Sequence, residues 1–118
     1  MIDLKPYAAE LLKGIAAVEL SYTDGLRTLP VIVITETGGG AEVVIGNKER
    51  ISKINLQLDV YAEEMKEAEE LATAVSASMT AAGFRRSFSE SLYDENAARR
   101  CMRFSCGVDE VSGRILAL

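Results

Sequence analysis

Histidine is absent from this sequence, and cysteine occurs twice, at Cys101 and Cys106. Without an imidazole the chain lacks both the usual general base near neutral pH and the commonest transition-metal ligand. Serines cluster at Ser87, Ser89 and Ser91, but no Gly-x-Ser-x-Gly elbow frames any of them and no histidine can activate them. The two cysteines lack a histidine partner for the same reason. Five residues apart in a strand-like segment, they point to opposite faces with Cα atoms roughly 17 Å apart, beyond the reach of a disulfide. Two free core thiols in a reducing compartment are expected.

Other clusters also lack the spacing that chemistry needs. Gly38-Gly39-Gly40 is followed by Ala41-Glu42-Val43-Val44 and not by the Lys-Ser/Thr that completes a P-loop, and it is no dinucleotide fingerprint. It is expected to be a mobile loop tip of the kind that orders against a partner. Asp59, Glu63, Glu64, Glu67, Glu69 and Glu70 lack the ligand spacing of an EF-hand. They fit a solvated helix face, with Lys66 and Glu70 as an i,i+4 pair. Arg85, Arg86, Arg99, Arg100 and Arg103 form the nearest approach to a basic patch, but Glu90, Asp94 and Glu95 are interleaved with them. A mixed solvated face or a subunit contact follows, with Tyr93 as packing or interface. No catalytic residue, cofactor or metal site is expected.

The elements that would position these residues follow from periodicity. Pro6 to about Ile15 reads as a short helix with Tyr7, Leu11 and Ile15 at four-residue spacing, Pro6 being tolerated in its first turn. Val18, Leu20 and Tyr22 alternate as a half-buried strand before a turn at Thr23-Asp24-Gly25. Thr28 to Thr35 is a second strand, with Pro30 marking an edge or the first residues. Glu42 to Ile45 suggests a further short strand, closed by a turn at Gly46-Asn47.

The clearest signals come next. Ile54, Leu56, Leu58 and Val60 alternate with Asn55, Gln57, Asp59 and Tyr61, which predicts a strand with one core face and one wet face. A helix follows over about 64–82, with Met65, Ala68, Ala72, Val75, Met79 and Ala82 as its apolar stripe. Glu63, Glu64 and Glu67 suit its N-terminal dipole, and Gly83 its C′ position. Phe84 to Ser89 reads as a strand and Asp94 to Asn96 as a polar connection. A long strand over Ala98–Val108 carries Arg100, Met102, Phe104 and Cys106 on one face. Asp109 to Gly113 is a turn and Arg114 to Leu118 a short terminal strand. The fold class is α+β: a mostly antiparallel sheet with a short N-terminal helix and one long central helix packed on one face.

The 118 residues suit a single domain spanning 1–118, and 48% hydrophobic with 26% charged residues is ordinary for a globular chain. The longest apolar runs, Val31 to Ile34 and Val43 to Ile45, fall far short of the roughly 20 residues of a membrane helix. Asp3 and Lys5 with no apolar region behind them argue against a secretory signal, so a cytoplasmic protein is expected. A net charge of −5 argues against a protein that holds nucleic acid by its phosphates.

Two stretches carry a family resemblance. One is Ile54-Asn-Leu-Gln-Leu-Asp-Val-Tyr-Ala62, then Glu67-Ala-Glu-Glu-Leu-Ala72 and Ala82-Gly-Phe-Arg-Arg86. The other is Ser91-Leu-Tyr-Asp94, then Arg99-Arg-Cys-Met-Arg-Phe104, Val108-Asp109 and Gly113-Arg-Ile115. With the Leu29-Pro-Val-Ile-Val33 strand before them, this order over roughly residues 18 to 115 resembles the tail-terminator, or tail-completion, proteins of long-tailed phages and prophages. The match rests on order and pattern, with no single diagnostic motif.

The resemblance implies a virion protein assembled in the host cytoplasm, in which copies form a ring, commonly six-fold, on the head-proximal end of the tail tube. The ring stops tube polymerisation and offers a docking face to the head-connector or stopper protein. DNA would only pass through, and acidic character suits such a channel because like charge repels phosphates. Arg85, Arg86, Arg99, Arg103 and Tyr93 are the expected subunit contacts. Glu36, Gly38, Gly39, Gly40, Glu42 and Glu49 are the expected lumen or loop residues. Two alternatives stay open. A stopper or minor capsid protein would show more strands and little helix, and a small ligand-binding or regulatory module would show an apolar pocket with converging polar groups.

Overall fold

The alternating segment around Leu56 becomes the central strand of a sheet, because its apolar residues are the ones the helices cover. A computed structural model of the chain describes residues 3–20, 28–45, 49–94, 97–110 and 112–116, with side chains for all of these except 38–45, 49, 50 and 94. The elements run α1 (Lys5–Leu12), β1 (Ala17–Glu19), β2 (Val31–Ile45), β3 (Glu49–Ala62), α2 (Met65–Ala81), β4 (Arg85–Asp94), β5 (Ala97–Asp109) and β6 (Ile115–Leu116). The sheet order is β1-β2-β3-β5-β4, with β6 pairing the end of β5. All pairings are antiparallel except β1 with β2, so the fold is α+β with a mostly antiparallel sheet.

The strict period of two places Ile54, Leu56, Leu58 and Val60 on one face, all buried, where they meet Ile32 and Ile34 of β2 and Met102, Phe104 and Cys106 of β5. α2 lays Ala72, Val75 and Met79 on this surface, and Ala68 packs beside Ala62 and Ala98. Four buried residues at steps of four, three and four make the stripe that an amphipathic helix needs. The helix ends as its sequence predicts. Gly83 has φ +103°, its N–H bonds the Thr80 carbonyl, and the Phe84 N–H bonds the Met79 carbonyl, a Schellman closure with buried Phe84 folded back on Met79.

Several expectations are corrected. α1 ends at Leu12, and its buried stripe is Leu4, Ala8 and Leu12, one residue off the Tyr7-Leu11-Ile15 row. Tyr7 is exposed, while Leu11 and Ile15 flank the core. A small Ala8 can sit flush against the sheet, which a pattern based on side-chain size overlooks. β1 covers only Ala17–Glu19, leaving Leu20 exposed, and Tyr22 and the Thr23–Gly25 turn lie outside the described residues. Pro30 follows a cis peptide bond and precedes the first residue of β2.

The glycine triplet is not a loop tip. Gly38 to Gly40 lie inside β2, which runs unbroken to Ile45, so Glu42–Ile45 is its continuation and no separate strand. The register against β3 shifts between Glu36 and Gly39 and again between Gly39 and Glu42. Bulges bend and twist a strand, and glycine accommodates them with least strain. The expected turn at Gly46-Asn47 lies outside the described residues. β4 is longer than expected and includes Asp94, while 95 and 96 lie outside the described residues.

The expected wet face of β3 is only partly wet. Asn55 and Gln57 are half-buried, but Asp59 is 0% exposed and Tyr61 8%. Asp59 therefore does not belong to the solvated acidic cluster, whose other members Glu63, Glu64, Glu67, Glu69 and Glu70, just before and within the first turns of α2, are all exposed.

Two stability predictions follow. Leu58→Ala removes a fully buried side chain from the central strand and is expected to destabilise by about 2–5 kcal/mol. An unchanged denaturation midpoint would show that the helices do not seal this face. Gly83→Ala is expected to lose about 1–2 kcal/mol, because the positive φ disfavours a Cβ. The new methyl would also come within 3.2 Å of the Ile115 side chain. A thermal melt equal to wild type would mean that the helix ends in another way.

Candidate functional site

The parity of β5 divides the arginines. Arg100, Met102, Phe104 and Cys106 face the helices, while Arg99, Cys101, Arg103 and Ser105 face the other side, which neither α1 nor α2 covers. Directly opposed residues of antiparallel strands share a face. On β4, Arg85, Phe88, Glu90 and Leu92 therefore join Arg99 and Arg103 on the open side, and Arg86, Ser89, Ser91 and Tyr93 join Arg100 on the helix side. The structure thus brings together Arg85, Arg99 and Arg103 from the expected contacts, and sets Arg86 and Tyr93 apart on the reverse of the same strand.

The open side has two ends of different character. Near the start of β2 it is closed by its own side chains: Tyr61 packs with Val31 and Val33, and Leu29 and Ala97 flank them. Asp59 is enclosed here. Arg99 Nε donates to its Oδ1 at 2.8 Å and Gln57 Nε2 to its Oδ2 at 3.0 Å, while the Arg99 guanidinium lies 5.7 Å from the Tyr61 ring centroid. A carboxylate at this depth is tolerable only with such partners. Arg99 is therefore engaged within its own chain, with a side chain only 21% exposed.

The other end is open. Arg103 is exposed, lies 5.0 Å from the centroid of the partly exposed Phe88 ring, and donates from Nε to Gln57 Oε1 at 3.3 Å. Beyond it Lys53, Arg85, Ser87 and Ser105 are among the residues that line a shallow hollow. Cation, aromatic ring and free strand edge together suit a protein contact.

Neither thiol is poised for chemistry. Burial raises the Cys101 thiol to about 11, and the neighbouring Asp59 charge and its hydrogen bond add to the effect against the opposing pull of Arg99 and Arg103. Burial alone raises Cys106 to about 11. Both thus hold their protons near neutral pH, where only a thiolate would be a nucleophile.

On the helix side, Arg100 donates from Nε to Ser89 Oγ at 3.0 Å and from Nη1 to Ser91 Oγ, and Arg86 Nη1 donates to Ser76 Oγ at 3.4 Å. Tyr93, 78% exposed, stands at the far end of this row. The expected lumen residues lie elsewhere, on the β2–β3 hairpin. Glu36 is exposed opposite Leu56. Gly38 to Gly40 and Glu42 continue β2, and Glu49 opens β3 opposite Ile45, with the side chains of Glu42 and Glu49 outside the described residues.

Sequence reasoning missed Asp59, Gln57 and Phe88. Phe88 could have been found, because a phenylalanine among Ser87, Ser89 and Glu90 is out of keeping with a wet strand. Asp59 gave no such signal, since its partner lies 40 residues away. Comparison with curated proteins returns no match. The family model for tail completion protein gp17 matches residues 8–109, a span from α1 to the last residue of β5 that takes in both faces described above. The chain belongs to the tail completion protein gp17 family and is a phage tail completion protein.

Proposed function

We propose that the chain forms a ring of identical subunits, six-fold, at the head-proximal end of the tail tube, where it stops tube polymerisation and joins the tail to the head-connector or stopper protein. The observation that carries this reading is the tail completion family match over residues 8–109. The fold supports it. A sheet covered by helices on one side leaves an open face and the edge strand β4, and a heterologous contact between two different patches closes into a ring when the rotation fits. The open end around Arg103, Arg85 and Phe88 serves as one patch.

In this reading the protein works by binding and not by catalysis, without cofactor or membrane, and its partners are its own copies, the tail-tube protein and the connector. DNA meets it only in transit, and Glu36, Glu42 and Glu49 on the β2–β3 hairpin keep the passage repellent to phosphates. Electron microscopy of tails assembled with and without the protein tests this directly. Tubes of defined length, each ending in a ring, are expected with it and overlong tubes without it. Tubes of equal length in both cases would refute the terminating role.

The two open-face arginines separate folding from assembly. Arg99→Glu leaves the buried Asp59 without its cation and is expected to destabilise the free subunit by about 3–5 kcal/mol. Arg103→Glu is expected to stay within about 0.5 kcal/mol of wild type in a denaturant melt, as exposed sites do, while ring formation measured by sedimentation falls. If the Arg103 variant still forms rings and caps tails normally, the open end is not a subunit contact.

A further inference from the structure

Arg100 occupies a strand position whose neighbours on the same face, Met102, Phe104 and Cys106, are all buried core residues. Val75 and Met79 of α2 fill the core farther along, but at the cleft α2 contributes the small Ala72, so the space between helix and β4 is not filled there. It forms a cavity of about 250 Å³ lined by Glu69, Ala72, Thr73, Arg86, Ser89 and Arg100, with Met102 at its floor. Two guanidinium groups reach this cleft, and among the described residues neither is ion-paired with a carboxylate. Their hydrogen bonds run to neutral hydroxyls: Arg100 to Ser89 and Ser91, Arg86 to Ser76.

A guanidinium can only donate, so each serine oxygen that accepts from it turns its own O–H outward as a further donor. Ser91 spends that proton on Glu69 Oε1 at 3.4 Å, and among the described residues no acceptor takes the Ser89 proton. The cleft thus gathers N–H and O–H donors around the half-buried Arg100 and Ser89, with the exposed Arg86 beside them, two positive charges against the one lining carboxylate of Glu69. Such a site is matched by a ligand that only accepts and carries negative charge, and charge-assisted bonds to it are the strong kind. Its size is below the range of drug-sized ligands and cofactors, which leaves a small group.

We infer that the cleft between α2 and β4 is an oxyanion-binding site, in which Arg100 and Arg86 hold a phosphate or carboxylate group and Ser89 completes its coordination. The oxyanion is either a free inorganic anion or the carboxylate of a side chain brought by a protein partner, and the chemistry of recognition is the same for both. Binding would neutralise a charge that the fold keeps half-buried, so ligand and fold would stabilise each other.

The test is a titration of the isotope-labelled full chain with inorganic phosphate and, separately, with acetate, followed by NMR at the backbone amides of Ser76, Ser89 and Ser91 and the side-chain Nε–H of Arg86 and Arg100. Saturable shifts confined to these groups are expected. Arg100→Gln and, independently, Arg86→Gln should each weaken binding about tenfold or more, the loss of one charge-assisted contact. Arg114→Gln, an exposed arginine of the β5–β6 turn, should leave it unchanged. Tighter binding of phosphate than of acetate identifies a free anion as the ligand, and equal, weak binding of both identifies a partner's carboxylate. Shifts that do not saturate, or an affinity that survives in both cleft variants, would overturn the site.

Discussion

A sheet with helices on one side only has to solve the problem of its other face, and here the buried contact between Asp59 and Arg99 is central to the solution. β3 is the middle strand, so its residues on the open side cannot all be left to water. At its C-terminal end Tyr61, Val31 and Val33 close over the surface, and the carboxylate of Asp59 is enclosed with them. An isolated charge in such a place would be worth several kcal/mol of instability. Arg99 from the next strand and Gln57 from the same strand supply three of its lone-pair partners together with Cys101, and the register of β3 against β5 is what sets them side by side. A slip of one residue would turn Arg99 toward the helices and leave the carboxylate without its cation. The pair therefore ties register to stability more tightly than apolar packing alone, which tolerates substitution among residues of similar volume.

From this closure comes the division of the open side into a sealed end and an exposed end. The seal engages Arg99 and leaves Arg103, Arg85 and Phe88 beyond it. Charge is also divided along the chain. Glu63, Glu64, Glu67, Glu69 and Glu70 crowd the start of α2 against the single Lys66, whereas the exposed cations Lys53, Arg85 and Arg103 stand on the opposite side of the sheet. An acidic helix start and a cationic open face give the subunit a polarity that a head-to-tail contact can use, because each copy can turn its cationic face to its neighbour's acidic helix start.

What the sequence disclosed follows from which interactions are local. α2 was legible to within a residue at each end and β3 from Ile54 onward, though not its first five residues, because each repeats one period over many positions, and the closure at Gly83 was legible because a residue without a Cβ suits it. The row of α1 was misplaced by one because Ala8 carries too little side chain to mark a buried position. The glycines at 38–40 misled for another reason: a bulge and a loop ask the same freedom of the backbone, and only the partner strand tells them apart. The arginine cluster read as one mixed patch, although the alternation of β5 already contained the answer that Arg99 and Arg103 oppose Arg100. The burial of Asp59 was beyond reach, since it depends on a contact across two strands and an intervening helix.

β4 is where these threads meet. As an edge strand it has one side of its backbone free, and its two faces carry different chemistry: Phe88 with the open-face cations on one, and Ser89 and Ser91 with Arg100 and Arg86 on the other. An edge that is charged on both faces and bulged between Arg86 and Phe88 resists indiscriminate strand addition, as exposed edges must. The same features are selective and not merely protective. A partner that approaches this edge meets a cationic, aromatic surface from one direction and an oxyanion-binding row from the other, and can satisfy each only with its own complementary groups. In the proposed ring that asymmetry has a physical use. There a subunit would have to recognise its own copies and at least one different protein, and a single strand with two unlike faces would let those two recognitions be made without competing for the same side chains.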